Sequence, residues 1–161
     1  MDARERTAYH EAGHFVVAML RPCPALHITA VTIRENDRYA GMVTHQLPRR
    51  LFASEVWALC GILVAGYEAE TRAAGAPAPK NAATDLKQVR QWLGDLAEPG
   101  VVASDPESLV SLSRKLHREI RQLLAEQWPR VERLAHALQQ HEHLSARDAR
   151  QVVIPPPAKP G

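Results

Sequence analysis

The chain has 161 residues, 45% of them hydrophobic and 24% charged, with a formal net charge of +2. That is enough chain for one globular domain with a real core, and the composition is ordinary for a soluble protein. The charge is too mild to argue for nucleic acid, and two cysteines, Cys23 and Cys60, are too few for a disulfide framework and form no metal-binding pair, so a reduced, cytoplasmic chain is expected.

In chain order, Ala3 to Leu20 carries apolar residues at helical spacing, which predicts a helix. Within it stands His10-Glu11-Ala12-Gly13-His14. On a helix, positions i and i+4 share a face, so His10 and His14 can turn two ring nitrogens toward one metal ion. Glu11 then lies where a carboxylate can take a proton from water activated by that metal. Ala12 and Gly13 are small enough to let a second helix or a substrate approach closely. Charged residues fill Met1 to Arg6, which is no signal peptide.

Arg21-Pro22-Cys23-Pro24 ends the helix. His27 to Arg34 is rich in β-branched residues and predicts a strand, Glu35 to Arg38 supplies a turn, and Tyr39 to Gln46 predicts the returning strand of a β-ribbon. Gly41 permits close backbone approach there. An extended substrate is expected to add to this ribbon along Tyr39, Ala40, Gly41, Met42, Val43 and Thr44.

Leu51 to Ala74 predicts a long helix ending near Gly75. Its apolar run, Val56 to Tyr67, is short of the roughly 20 residues that span a bilayer and suits a buried helix, so no membrane anchor is expected. Asn81 is the expected N-cap of a helix over Ala82 to Leu96, with Asp85 about one turn in. Ser104-Asp105-Pro106-Glu107 marks a further helix start, followed by an apolar stripe of Leu109, Leu112, Leu116, Ile120 and Leu123. Trp128-Pro129 is expected to break or kink that helix before another runs to Leu138. Ser145 and Asp148 have capping-box spacing and open a short last helix. The expected organisation is one domain over residues 1–154 and a disordered, Pro-rich tail over 155–161. The fold class is mainly α, a helical array with a small two-stranded β-ribbon and the His-Glu-His helix near the N-terminus.

A catalytic zinc site takes three protein ligands plus water, so the motif needs a third. Glu68, Glu70 and Asp85 are the candidates, and spacing alone does not choose among them. His141 and His143, taken as helical, point to different sides and read as solvated, and His45 reads as a structural or exposed strand residue. Arg114, Lys115, His117 and Arg118 are interrupted by Leu116 and Ile120 at core spacing, which makes them a solvated helix face. Trp57, Trp92 and Trp128 read as core.

Taken together, HEAGH, then VTIR and YAGMVT, then AGYEAE with Gly75, then NAATDL, resemble the peptidase domain of the FtsH family of zinc metalloproteases. The resemblance runs from about Thr7 to Leu93 and continues more weakly through HALQQHEHLSARD. It implies a zinc endopeptidase with His10, His14 and Asp85 as zinc ligands and Glu11 as general base. Glu70 matches a glutamate of the family that is expected to orient a ligand side chain. The family departs from this chain in carrying an AAA+ ATPase and membrane segments. One further residue also separates Asn81 from Asp85, and the glycine usual before that segment is missing. No GxxxxGK[ST] phosphate loop occurs here. The expectation is therefore a polypeptide-cleaving enzyme that acts without its own ATPase on peptides, loops or unfolded chains, or with a separate ATPase or adaptor. The family's hexamers make an oligomer an open expectation. The alternatives are a regulatory HExxH protease of another family and a non-catalytic zinc-containing interaction domain; an intact Glu11 speaks against the latter.

Overall fold

A computed structural model describes residues 1–21, 23–24, 26–34, 51–76, 79–95 and 106–154. Among them run α1 (Ala3–Leu20), β1 (Ala30–Thr32), α2 (Ala53–Ala74), α3 (Pro79–Asp95), α4 (Pro106–His141), β2 (His143–Ser145) and α5 (Ala146–Val153). The architecture is the expected one, helices with one small two-stranded sheet. The expected substrate strand Tyr39 to Thr44, His45 and the tail 155–161 lie outside the described residues.

The first helix is the centre of the molecule. Asp2 caps it by accepting from the Glu5 N–H at 2.8 Å. From Ala8 to Ala18 every residue of α1 is buried, because α2 and α4 both pack against it. A helix enclosed on all sides is apolar all round unless its polar groups find partners. His10, Glu11 and His14 are the polar exceptions in this buried stretch, apart from the phenol of Tyr9.

The second helix crosses α1 at very short range. A Cβ added at Gly13 would stand 2.5 Å from the Ala65 carbonyl oxygen and 2.6 Å from the Ala69 Cβ. The small residues of the motif are thus what admits α2, one of the two roles the sequence left open. Phe52 opens α2, its N–H donating to Glu55 Oε2 at 2.8 Å, and Gly75 closes it at φ 69°.

Three expectations change. Helix α3 begins at Pro79, so Asn81 lies in its first turn rather than at its cap; proline is well suited to the first helical position. Helix α4 continues through Pro129 as one element. Pro129 is exposed, while Leu124, Val131, Leu134 and Leu138 on either side are buried, so packing on both flanks outweighs the hydrogen bond proline forfeits. The expected returning strand Tyr39 to Gln46 lies outside the described residues, among which β1 pairs with β2, antiparallel, with Val31 opposite Leu144. Both of those side chains are buried. His143 therefore sits on a strand, not a helix, and it is exposed, as is His141. Ser145 caps α5 as its spacing predicts, accepting from the Asp148 N–H at 3.1 Å.

Candidate metal centre

Helices α1, α2 and α3 contribute to the site, each through its own local pattern. On α1 the i, i+4 spacing sets His10 and His14 edge to face, their ring centroids 4.6 Å apart. On α3, Ala82, Val89 and Leu93 are buried, and Asp85 falls on the same stripe, three residues after the first and four before the second. That stripe faces α2, so Asp85 is carried inward. Its carboxylate Oδ2 lies 3.1 Å from His10 Nε2 and 3.3 Å from His14 Nε2. Among the described residues, His10, His14 and Asp85 are the group of candidate ligands whose atoms all fall within 4.8 Å of one another.

The far side of each ring is fixed. His14 Nδ1 meets the Ile62 carbonyl oxygen at 2.7 Å, and His10 Nδ1 meets Glu70 Oε2 at 3.3 Å. With Nδ1 of each imidazole facing an acceptor, Nε2 is the nitrogen left toward Asp85, the arrangement by which metal-ligating histidines are held. Space for the two rings comes from Gly66. A Cβ there would stand 2.5 Å from both His14 Cε1 and His14 Nε2, and 2.8 Å from His10 Nε2.

Charge follows the same geometry. Burial opposes ionisation of Asp85, but hydrogen bonds from His10 and His14 outweigh it and hold the carboxyl below the usual carboxylate range. Burial likewise opposes charge on His10, yet Asp85 and Glu70 hold its pKa above the ordinary imidazole value. For Glu70, burial is outweighed by His10 and Arg6, and the net shift is downward. Glu11 is different. Burial pushes its carboxyl up to about 8, and its Oε2 is buried without a hydrogen-bond partner among the described residues. A buried carboxylate oxygen that no described donor satisfies fits a site completed by a cation or a water, as does a donor set of two imidazoles and a carboxylate.

The three candidates for the third position therefore separate. Asp85 joins the histidines. Glu70 stands behind His10. Glu68, two residues from Glu70 and so turned away from it on the helix, pairs instead with His117 and Arg121 of α4. Arg6, Gly66 and the Ile62 carbonyl were not legible as parts of the site. Arg6 had one available signal, its position four residues before His10.

The cradle at Gly66 gives a direct test. Gly66→Ala improves helix propensity by about 0.5–1 kcal/mol, but overpacking a filled site costs about 1–3 kcal/mol. That cost falls on the two rings. The expected result is a folded protein with metal affinity reduced roughly 5- to 150-fold, that cost expressed as a binding constant, read by zinc titration alongside a melting curve.

No family model matches the chain. The chain is 29% identical over 177 residues to the ATP-dependent zinc metalloprotease FTSH 11, chloroplastic/mitochondrial, of Arabidopsis thaliana. The match covers 96% of this chain and 22% of that protein, so the chain spans about a fifth of its relative's length. Among the described residues, no helix is long and apolar enough to cross a membrane.

Proposed function

We propose that this protein is a zinc-dependent endopeptidase that hydrolyses peptide bonds in unfolded or flexible polypeptides without ATP, with residues 1–154 as its peptidase domain. The observation that carries the reading is the convergence of His10, His14 and Asp85, together with the buried Glu11 Oε2 that no described donor satisfies. The similarity to a named zinc metalloprotease supports it.

In this reading His10 and His14 offer Nε2, and Asp85 offers a carboxylate oxygen, to the ion. Zinc, when bound, brings the pKa of the attacking water toward neutrality and polarises the scissile carbonyl. Glu11 takes the water's proton and returns it to the leaving amine. A cation in the site favours the ionised form of Glu11, offsetting the burial that raises its pKa. Glu70 and the Ile62 carbonyl keep the two rings from turning. The segment Tyr39 to Thr44 holds the substrate as an added strand.

The test is hydrolysis of casein by the purified protein, with zinc and without ATP. Cleavage that a chelator abolishes and added zinc restores is the expected result. Zinc bound at one equivalent with no cleavage, with or without ATP, would favour a non-catalytic domain or one that depends on a separate ATPase or adaptor.

A further inference from the structure

We infer that Arg6 is a positioning residue of this site, fixing Glu70 in the place from which Glu70 orients His10; the inference rests on the zinc reading above. Arg6 stands four residues before His10, one turn earlier on the same side of α1. Its Nε donates to Glu70 Oε1 at 2.8 Å, and its Nη2 donates to the Ala76 carbonyl oxygen at 3.1 Å. The other oxygen of the same carboxylate, Glu70 Oε2, faces His10 Nδ1 at 3.3 Å. One carboxylate is thus shared between a guanidinium and the ring it orients.

Burial separates this pair from an ordinary surface ion pair. Glu70 is 1% exposed, and a carboxylate so enclosed is costly once its cation is removed. On the same helix, Arg4 pairs with Glu142 at 2.9 Å, but those side chains are 51% and 45% exposed, where such pairs contribute little. Arg6 also reaches further than Glu70. Ala76 directly follows Gly75, the left-handed residue that ends α2, and precedes Pro79, where α3 begins. A single guanidinium therefore ties α1 to both the buried face of α2 and the segment that leads to the helix carrying Asp85. A lysine ammonium lacks the planar fork that serves both acceptors.

The test compares zinc dissociation constants, measured by competition with a chromophoric chelator, for wild type and five variants: Arg6→Gln, Arg6→Lys, Glu70→Gln, the double variant Arg6→Gln/Glu70→Gln, and Arg4→Gln. Loss of a group that orients a metal ligand weakens binding about 10- to 100-fold, and Arg6→Gln is expected in that range. Arg6→Lys falls between it and wild type. Because Arg6 acts through Glu70, the double variant binds no more weakly than Glu70→Gln alone. Arg4→Gln binds as wild type does. Wild-type affinity in Arg6→Gln, or losses that multiply in the double variant, would overturn the assignment. Where Arg6→Gln does not fold, Arg6→Lys decides: unchanged affinity overturns the inference, and a several-fold loss in a folded protein upholds it. A wild type that takes up no zinc overturns the peptidase reading itself, and this inference with it.

Discussion

Glu11→Gln is expected to abolish cleavage while leaving zinc uptake and the fold intact. The substitution keeps shape and volume and removes only the capacity to accept a proton, a capacity that contributes about 100- to 10,000-fold in rate when supplied by a positioned base. Casein hydrolysis should therefore fall to the detection limit. Stability should not fall, since burial already opposes the charged form of Glu11 and pushes its pKa to about 8, and a neutral amide avoids that opposition. Zinc content stays at the wild-type value because neither histidine nor Asp85 is touched. Cleavage at the wild-type rate would remove Glu11 from the chemistry.

Asp85→Ala is the converse: cleavage and zinc are lost together. Side chains that merely orient a ligand are worth about 10- to 100-fold in affinity, so loss of a ligand should exceed about 100-fold. The Asp85 side chain is 21% exposed, so its truncation leaves no sealed cavity and the protein should stay folded. His10 and His14 lose their shared partner, but their Nδ1 atoms keep Glu70 and the Ile62 carbonyl. Zinc titration and casein hydrolysis read the outcome, and undiminished zinc in Asp85→Ala refutes the ligand choice. In wild type, affinity should rise with pH, because His10, held above its ordinary pKa by Asp85 and Glu70, must release a proton before it can bind metal.

What the sequence made legible was local. His10 and His14 share a face because of a four-residue spacing, and Gly75, Pro106 and Ser145 mark helix ends because each suits the backbone at one position. What it hid was long-range. Glu68, Glu70 and Asp85 are equally eligible as residue types, and only the packing of the helices sends one to the histidines and another to His117. Pro129 carries a helix-breaking signal that is correct as propensity and is overridden by the buried residues around it. Strand β2 has a single buried apolar residue, Leu144, too little to declare a strand before its partner is known. Arg6 looked like one charge among several at the start of a helix. Its meaning came from a carboxylate 64 residues away.

The pairing of β1 with β2 sets a timetable for folding. The Thr32 hydroxyl donates to the Glu142 carbonyl oxygen across a separation of 110 residues, and the Arg4–Glu142 ion pair joins the same turn to the start of α1. All three candidate ligands lie between residues 10 and 85 and are synthesised before β2. A nascent chain can therefore present its candidate ligands while β1 still lacks β2 and the α4 side of α1 is bare. Contacts between segments so far apart in sequence form slowly. Uptake of metal by the early helices, ahead of that closure, would supply binding free energy to a half-built core when it has least of its own.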